Sequence, residues 1–325
     1  MTNKETESQQ DPDEEIVKLY NINIKNLLKI SKKASIIETN TNELFFIKKI
    51  DRILEKKYQY LNEIGVNNVL FPIKNKYNEL VTKINDKYIF IKEYIKQSEY
   101  INDFKVLSMY KELKNIHQLT TFKRQLNQSK LRPKFEEITK QLDYKFTLIE
   151  NFIRSVESKD LTIFSMPILS NYRYILDAKK ELVRLQKMLI VQIKDKISVN
   201  YSFVHNNPKI DHLIFSNGSK YLTSIDRSKY GLSSLDMAKL YVETIDLGVD
   251  FKSFIVDYYY NEESTFNYDY FRFLILYIYI KRLKLNKLDY VSAENFINTA
   301  NAIKKYFELF LDKKEEIEQE EESDY

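Results

Sequence analysis

The chain has 325 residues, of which 43% are hydrophobic, 30% charged and none cysteine, with a formal net charge of +4. That is enough apolar material for one large domain or two packed lobes, and it excludes a disordered body, a disulfide framework, thiolate metal sites and thiol catalysis. The longest apolar run, about 273–280, is too short to cross a bilayer and reads as a buried helix, so no membrane span is expected; the polar start of the chain lacks a secretory pattern, and a cytoplasmic protein is expected.

The charge is unevenly placed. Residues 1–15 read as an acidic disordered arm and residues 312–325 as an acidic tail, so the surplus of Lys and Arg lies on the body between them. Such a body could take polyanions. Its basic residues are dispersed, however, with no Arg-rich cluster and no aromatic RNA-binding motif. Nucleic acid is therefore not an expected partner.

In chain order, residues 16–32 read as a helix, with Ile16, Leu19, Tyr20 and Ile24 at helical spacing. Residues 34–39 and 44–50 read as strands joined by Asn40, Thr41, Asn42 and Glu43, a turn by composition. Residues 53–64 return to helical spacing and stop at Gly65, a C-cap residue. Strand-like runs follow at 69–73, 79–84 and 88–94, with turns at 74–78 and 85–86. From Ser98 onward the chain turns helical, clearly so at 104–119. Arg132 and Pro133 break the pattern, and long amphipathic helices follow at 134–158 and 169–196. A loop-and-strand segment, 204–241, interrupts them; helices at about 233–246, 251–260, 267–285 and 292–311 complete the chain, with Ser233 and Ser292 as N-caps. Tyr258, Tyr259 and Tyr260 and the aromatic run after them read as core and rim rather than a stacking platform.

The 204–241 segment carries the densest motif. His205 is followed by a polar loop, the triplet Leu213, Ile214 and Phe215, a turn at Asn217 and Gly218, and then Ile225-Asp226, Tyr230-Gly231 and Asp236-Met237-Ala238. This resembles the catalytic half of the aminoglycoside phosphotransferase/choline kinase-like superfamily, most closely its spore-coat CotS-like branch. That family carries His-Gly-Asp-x-x-x-x-Asn and then a strand ending in Ile-Asp. The resemblance covers roughly residues 30–285. It implies an α+β, two-lobed protein-kinase-like fold with a small sheet-rich N-lobe (16–95) and a large helical C-lobe (96–311). The cofactor it implies is ATP, with or without magnesium.

Aligned on His205, Asn207 stands for the family's catalytic Asp, His212 for its metal-binding Asn and Ser224 for its metal-binding Asp. Phosphoryl transfer needs an acid to orient the acceptor hydroxyl, and oxygen ligands to hold magnesium. Asn207 carries no charge, Ser224 is neutral and short, and imidazole is a poor magnesium ligand. The catalytic loop therefore reads as degenerate. Lys48 matches the strand lysine that pairs with nucleotide phosphates, with Lys49 on the opposite face. Glu55, with Glu63 as the alternative, is the candidate helix glutamate orienting Lys48. Asp226, two residues beyond Ser224 and on its face, is the candidate to reach a cation, and no other metal ligand is expected. Glu93-Tyr94-Ile95 resembles the hinge between lobes. No glycine occurs between residues 1 and 64, so a Gly-rich phosphate loop is missing.

Three readings follow. The first is a catalytically inactive kinase-like protein, a pseudokinase acting as a binding or scaffold module with protein partners in a spore coat or another assembly. The second is an active ATP-dependent phosphotransferase for a small hydroxyl or amine acceptor, with a rearranged site using Lys48, Asp226 and Asp211. The third is a basic polyanion-binding protein. A metal site from His205, Asp211, His212 and Asp226 has no known ligand spacing, and no Gly-x-Ser-x-Gly elbow supports a hydrolase.

Overall fold

The computed structural model describes residues 12–310 apart from 51–53, 85–86, 159–161, 195–196, 260–264 and 286. Most of the expected acidic arm, the acidic tail, the 85–86 turn, and Ile53, Lys196, Tyr260 and Leu311 at the ends of expected helices lie outside the described residues. The elements are α1 (Pro12–Tyr20), β1 (Ile24–Lys29), β2 (Ala34–Thr39), β3 (Leu44–Ile50), α2 (Glu55–Glu63), β4 (Thr82–Ile84) and β5 (Lys87–Glu93). They continue with α3 (Asn102–Thr120), β6 (Phe122–Gln125), α4 (Gln128–Glu157), α5 (Ser165–Gln192), β7 (Ser198–Val204), β8 (Leu213–Ser216) and β9 (Ser219–Leu222). β10 (Lys229–Leu232), α6 (Ser234–Thr244), α7 (Phe251–Tyr259), α8 (Phe266–Arg282) and α9 (Tyr290–Phe310) complete the chain.

The described residues fall into two units, one within 1–101 and 210–228, the other within 102–209 and 229–325. In the first, five antiparallel strands take the order β1-β2-β3-β5-β4. Alternation along β3 and β5 sends Ile47, Ile89 and Ile91 to one face, where they pack with Ile16, Ile22, Ile37 and Ile84. The 16–32 helix expected from spacing is not formed. α1 ends at Tyr20, Asn21 takes a positive φ of 55°, and the following residues enter β1. Pairing with β2 overrides local helical spacing there. The 69–73 run is likewise no strand: Val69 alone makes a bridge, to Leu222, and Pro72 lacks the N–H that a ladder needs.

The sequence reading assigned 96–311 to one helical lobe; residues 210–228 instead group with the sheet. Their hairpin β8–β9 turns at Asn217 (φ 49°) and Gly218 (φ 76°), the two left-handed positions of a tight hairpin. Backbone bonds tie it to the sheet unit, from Leu222 N to Asn68 O at 2.6 Å, Leu70 N to Leu222 O at 3.0 Å and Ser98 N to Phe215 O at 2.8 Å.

The second unit is helical around a small β10-β7-β6 sheet. Its core includes Met109 and Leu113 of α3, Leu182 and Leu185 of α5, and Phe271, Phe273 and Leu276 of α8, all buried. The expected break at Pro133 is absent. Asn127 caps α4 by accepting from Ser129 N at 2.9 Å, and Pro133 lies within the helix near that end. A proline there deletes one intrahelical bond and is tolerated better than deeper in a helix. α9 is capped by Asp289, which accepts from Ser292 N at 2.8 Å, rather than by Ser292 itself; Ser233 makes no side-chain cap bond. Among the described residues no helix is long and apolar enough to cross a membrane.

Candidate functional site

Phe46 pairs with Lys92 and Lys48 with Phe90 across β3 and β5, so these four side chains share the sheet face opposite the isoleucine core. They line a cavity of about 200 Å³ within the sheet unit. Ile30, Leu70, Ile95 and Ile214 add apolar wall, and Tyr94 and Glu93 lie on its lining where β5 ends. Lys48, Lys92, Ser224 and Asp226 supply its polar surface. A slot with apolar walls and charged groups suits a flat ring carrying an anionic group.

Of the residues singled out from sequence, Lys48, Ser224 and Asp226 come together here. Lys48 Nζ donates to Asp226 Oδ1 at 3.0 Å. Ser224 has left-handed backbone (φ 59°, ψ 33°) and leads into a short 3-10 turn, Ile225–Arg227, that carries Asp226. The carboxylate facing Lys48 is thus the one two residues after Ser224. From α2, Lys57 Nζ donates to Asp226 O at 3.2 Å and to Ser228 O, which clamps the turn. Lys49 is exposed on the other face of β3.

Glu55 does not orient Lys48. It opens α2 and accepts from Leu80 N at 3.2 Å, while Glu63 is exposed at the far end of the helix. Helical phase explains both: the inward face of α2 is Tyr58 and Leu61, and neither glutamate shares it. Lys48 takes its carboxylate from Asp226 instead.

Sequence reading missed Lys92. It stands near the polar end of an apolar strand and is 3% exposed. Its Nζ lies over the rings of Tyr58 (4.8 Å) and Phe90 (5.0 Å). Burial pulls the ammonium down to about 7, with Asp226 opposing that shift and Lys48 adding to it.

The β1–β2 turn offers no glycine-type phosphate cradle. Ser31 Oγ accepts from Lys33 N (3.3 Å) and Ala34 N (3.1 Å), while Ile30 N and Ser31 N both donate to Ala34 O. Amides engaged in their own turn cannot also form an anion nest.

Asn207 belongs to the helical unit, on a loop built around Asp236. That carboxylate is fully buried and accepts from His205 N at 2.6 Å, Asn206 N at 2.6 Å and His117 Nε2 at 3.0 Å. His117 Nδ1 lies 2.6 Å from Tyr258 Oη. Asn206 adopts φ 64°, and Lys239 Nζ donates to its backbone and side-chain oxygens, each at 2.7 Å. Burial would raise the Asp236 pKa; the His117 bond, the charges of His117 and His205 and the Asn206 amide outweigh it, and the net shift is downward. His212 closes a 3-10 turn in the sheet unit, where its carbonyl accepts from Thr223 N (2.8 Å) and Thr223 Oγ1 (3.1 Å).

The donor set fits a magnesium ion poorly. Asp226 is held by Lys48, and among the described residues no three His, Asp or Glu side chains gather as a metal site.

No family model and no curated protein matches the chain. Solved structures do. An aminoglycoside phosphotransferase from Alicyclobacillus acidocaldarius superposes with a TM-score of 0.61 at 10% identity, over 93% of this chain and 96% of that one. The AMP-bound spectinomycin phosphotransferase APH(9)-Ia gives 0.54 at 16% identity, over 91% and 96%. Amicoumacin kinase hAmiN, in complex with AMP-PNP and Ca²⁺, gives 0.52 at 12% identity, over 90% and 92%. Likeness at such low identity speaks to architecture alone. The chain has the two-lobed α+β fold of the aminoglycoside phosphotransferases.

Proposed function

We propose that the protein binds a nucleoside triphosphate in the cavity of its sheet unit. The ring would lie between Phe46, Leu70 and Ile214, and the phosphates toward Lys48. One observation carries this reading: the Lys48–Asp226 pair lines a slot on the sheet face whose walls are formed by Ile30, Phe46, Leu70, Ile95 and Ile214. Solved structures of the same fold with AMP or AMP-PNP bound support it. Calorimetric titration of ATP into the full chain and into Lys48→Met tests it. Saturable heat in the wild type, weakened in Lys48→Met, is expected; a flat wild-type titration would refute the reading.

A second reading, transfer of the γ-phosphate to a small hydroxyl or amine acceptor, is favoured by the named activities of the structural neighbours. Here it would proceed with Asn207 in the family's base position, where a loss of ~10²–10⁴-fold in rate is expected for want of a general base. Transfer of label from ATP to any member of an aminocyclitol panel would establish it; retention of all label by ATP would favour the silent binding module. A place in a spore coat or another assembly rests on the sequence resemblance of residues 204–241 alone.

A further inference from the structure

Lys92 has no counterpart in the motifs read from the sequence, and its setting is costly. A lysine is almost never fully buried without a partner. Among the described residues Lys92 Nζ makes no hydrogen bond, and its contacts are the faces of Tyr58 and Phe90. Tyr58, under it, has a buried hydroxyl with no hydrogen-bonding partner either. Replacing Lys92 with an apolar residue would fill the same space without desolvating a charge, so core packing does not account for it.

The register does. Lys92 is the diagonal neighbour of Lys48 on the cavity face, and both act electrostatically with Asp226. Two ammonium groups thus face one carboxylate. The groups around Lys92 are Lys48 from β3, the Tyr58 ring from α2, Asp226 from the 3-10 turn and, next along β5, the exposed Glu93. No second acid from α2 balances the pair, because Glu55 is committed to Leu80 N. With Lys92 protonated the cluster is therefore short of one negative charge, which an anionic ligand can supply.

Building on the nucleotide reading, we infer that Lys92 is a ligand-binding cation that takes over the charge role of a divalent metal, so that this cavity holds ATP without magnesium. The poor metal donor set and the engaged amides of the β1–β2 turn point the same way: side-chain cations are what the cavity offers to phosphate. An anion beside Lys92 favours its charged form, so binding above pH 7 takes up a proton and weakens as pH rises.

The test is ATP titration of the full chain with magnesium and with EDTA, at pH 6.5 and 8.5, using wild type, Lys92→Met and Lys92→Gln, with a thermal melt of each. The expected wild-type affinity is the same in both buffers and weaker at pH 8.5. In Lys92→Met, affinity at pH 6.5 should fall by about tenfold or more, as for loss of a charged hydrogen bond, and the pH response should shrink to that of ATP itself. Its melting temperature should hold or rise, where a lysine kept for structure would lower it. Lys92→Gln separates charge from polarity and should behave as Lys92→Met does. Binding that needs magnesium, or unchanged affinity in both variants, overturns the role of Lys92 and leaves the nucleotide reading standing. Absence of ATP binding by the wild type in every buffer overturns both.

Discussion

Replacing Asp236 with Asn should be among the most damaging single-atom changes available in this chain. The carboxylate is fully buried and receives three hydrogen bonds, from two consecutive backbone amides and from His117. An amide keeps one acceptor oxygen but turns an N–H₂ toward one of the donors that the carboxylate now accepts from. A hydrogen bond to a charged group contributes about 1.5–3 kcal/mol, and a buried donor left unsatisfied costs about 1–3 kcal/mol more. We therefore expect a loss of about 3–5 kcal/mol, a large fraction of a total that is typically about 5–15 kcal/mol. Urea unfolding followed by far-ultraviolet circular dichroism measures it, with tyrosine signals as a second probe since the chain has no tryptophan. For an m of about 2–3 kcal/mol/M the midpoint falls by roughly 1–2 M. The sign of the pH dependence is fixed as well. The folded pKa of Asp236 is depressed, so its contribution is complete above the unfolded value of about 3.9 and is lost as pH falls through the lower folded value. The variant should lack that part of the acid transition. A midpoint within error of wild type would refute the argument that Asp236 anchors the His205 loop.

Other expectations follow from the same contacts. Glu181→Ala removes the carboxylate shared by Arg184 (2.6 and 2.7 Å) and Arg272 (2.8 Å), leaving a mostly buried guanidinium unpaired; about 3–5 kcal/mol should be lost in denaturant unfolding. Gly218→Val puts a β-branched residue at φ 76° in the β8–β9 turn and should cost at least about 1–2 kcal/mol, read from the same curves. Lys57→Met frees the Asp226 and Ser228 carbonyls, and hydrogen exchange of residues 224–228 should speed up by about tenfold, for a loss of 1–2 kcal/mol. Lys92 titrates far below an ordinary lysine, so its stability term is present above the unfolded value of about 10.4 and lost as pH falls through about 7. Wild-type stability relative to Lys92→Met should therefore rise between pH 7 and pH 10; a constant difference would contradict the burial of a charged Lys92.

Much of the fold was legible because its signals are local. The strand-like runs 34–39 and 44–50 and the turn composition of residues 40–43 between them give β2 and β3 residue for residue. Helices α3, α6, α7, α8 and α9 lie within a few residues of the segments with helical spacing. The helical spacing of Ile16, Leu19, Tyr20 and Ile24 extends a helix over β1, because pairing with β2 is a tertiary fact. The site was legible in part. Lys48 and Asp226 were both named, but Glu55 was assigned by proximity along the chain, whereas helical phase turns Tyr58 inward. Lys92 could have been found by one step: it has the parity of Phe90, which opposes Lys48. Asp236 stood in the motif, yet its grip on the His205 and Asn206 amides spans about thirty residues and is visible only in three dimensions.

The central claim, that the sheet unit carries a nucleotide site around Lys48, is tested most directly by amide hydrogen exchange of the full chain with and without saturating ATP. Slowed exchange at residues 46–48, 92–95 and 223–226 is the predicted result. Unchanged exchange there, or protection confined to the helical unit, would contradict it.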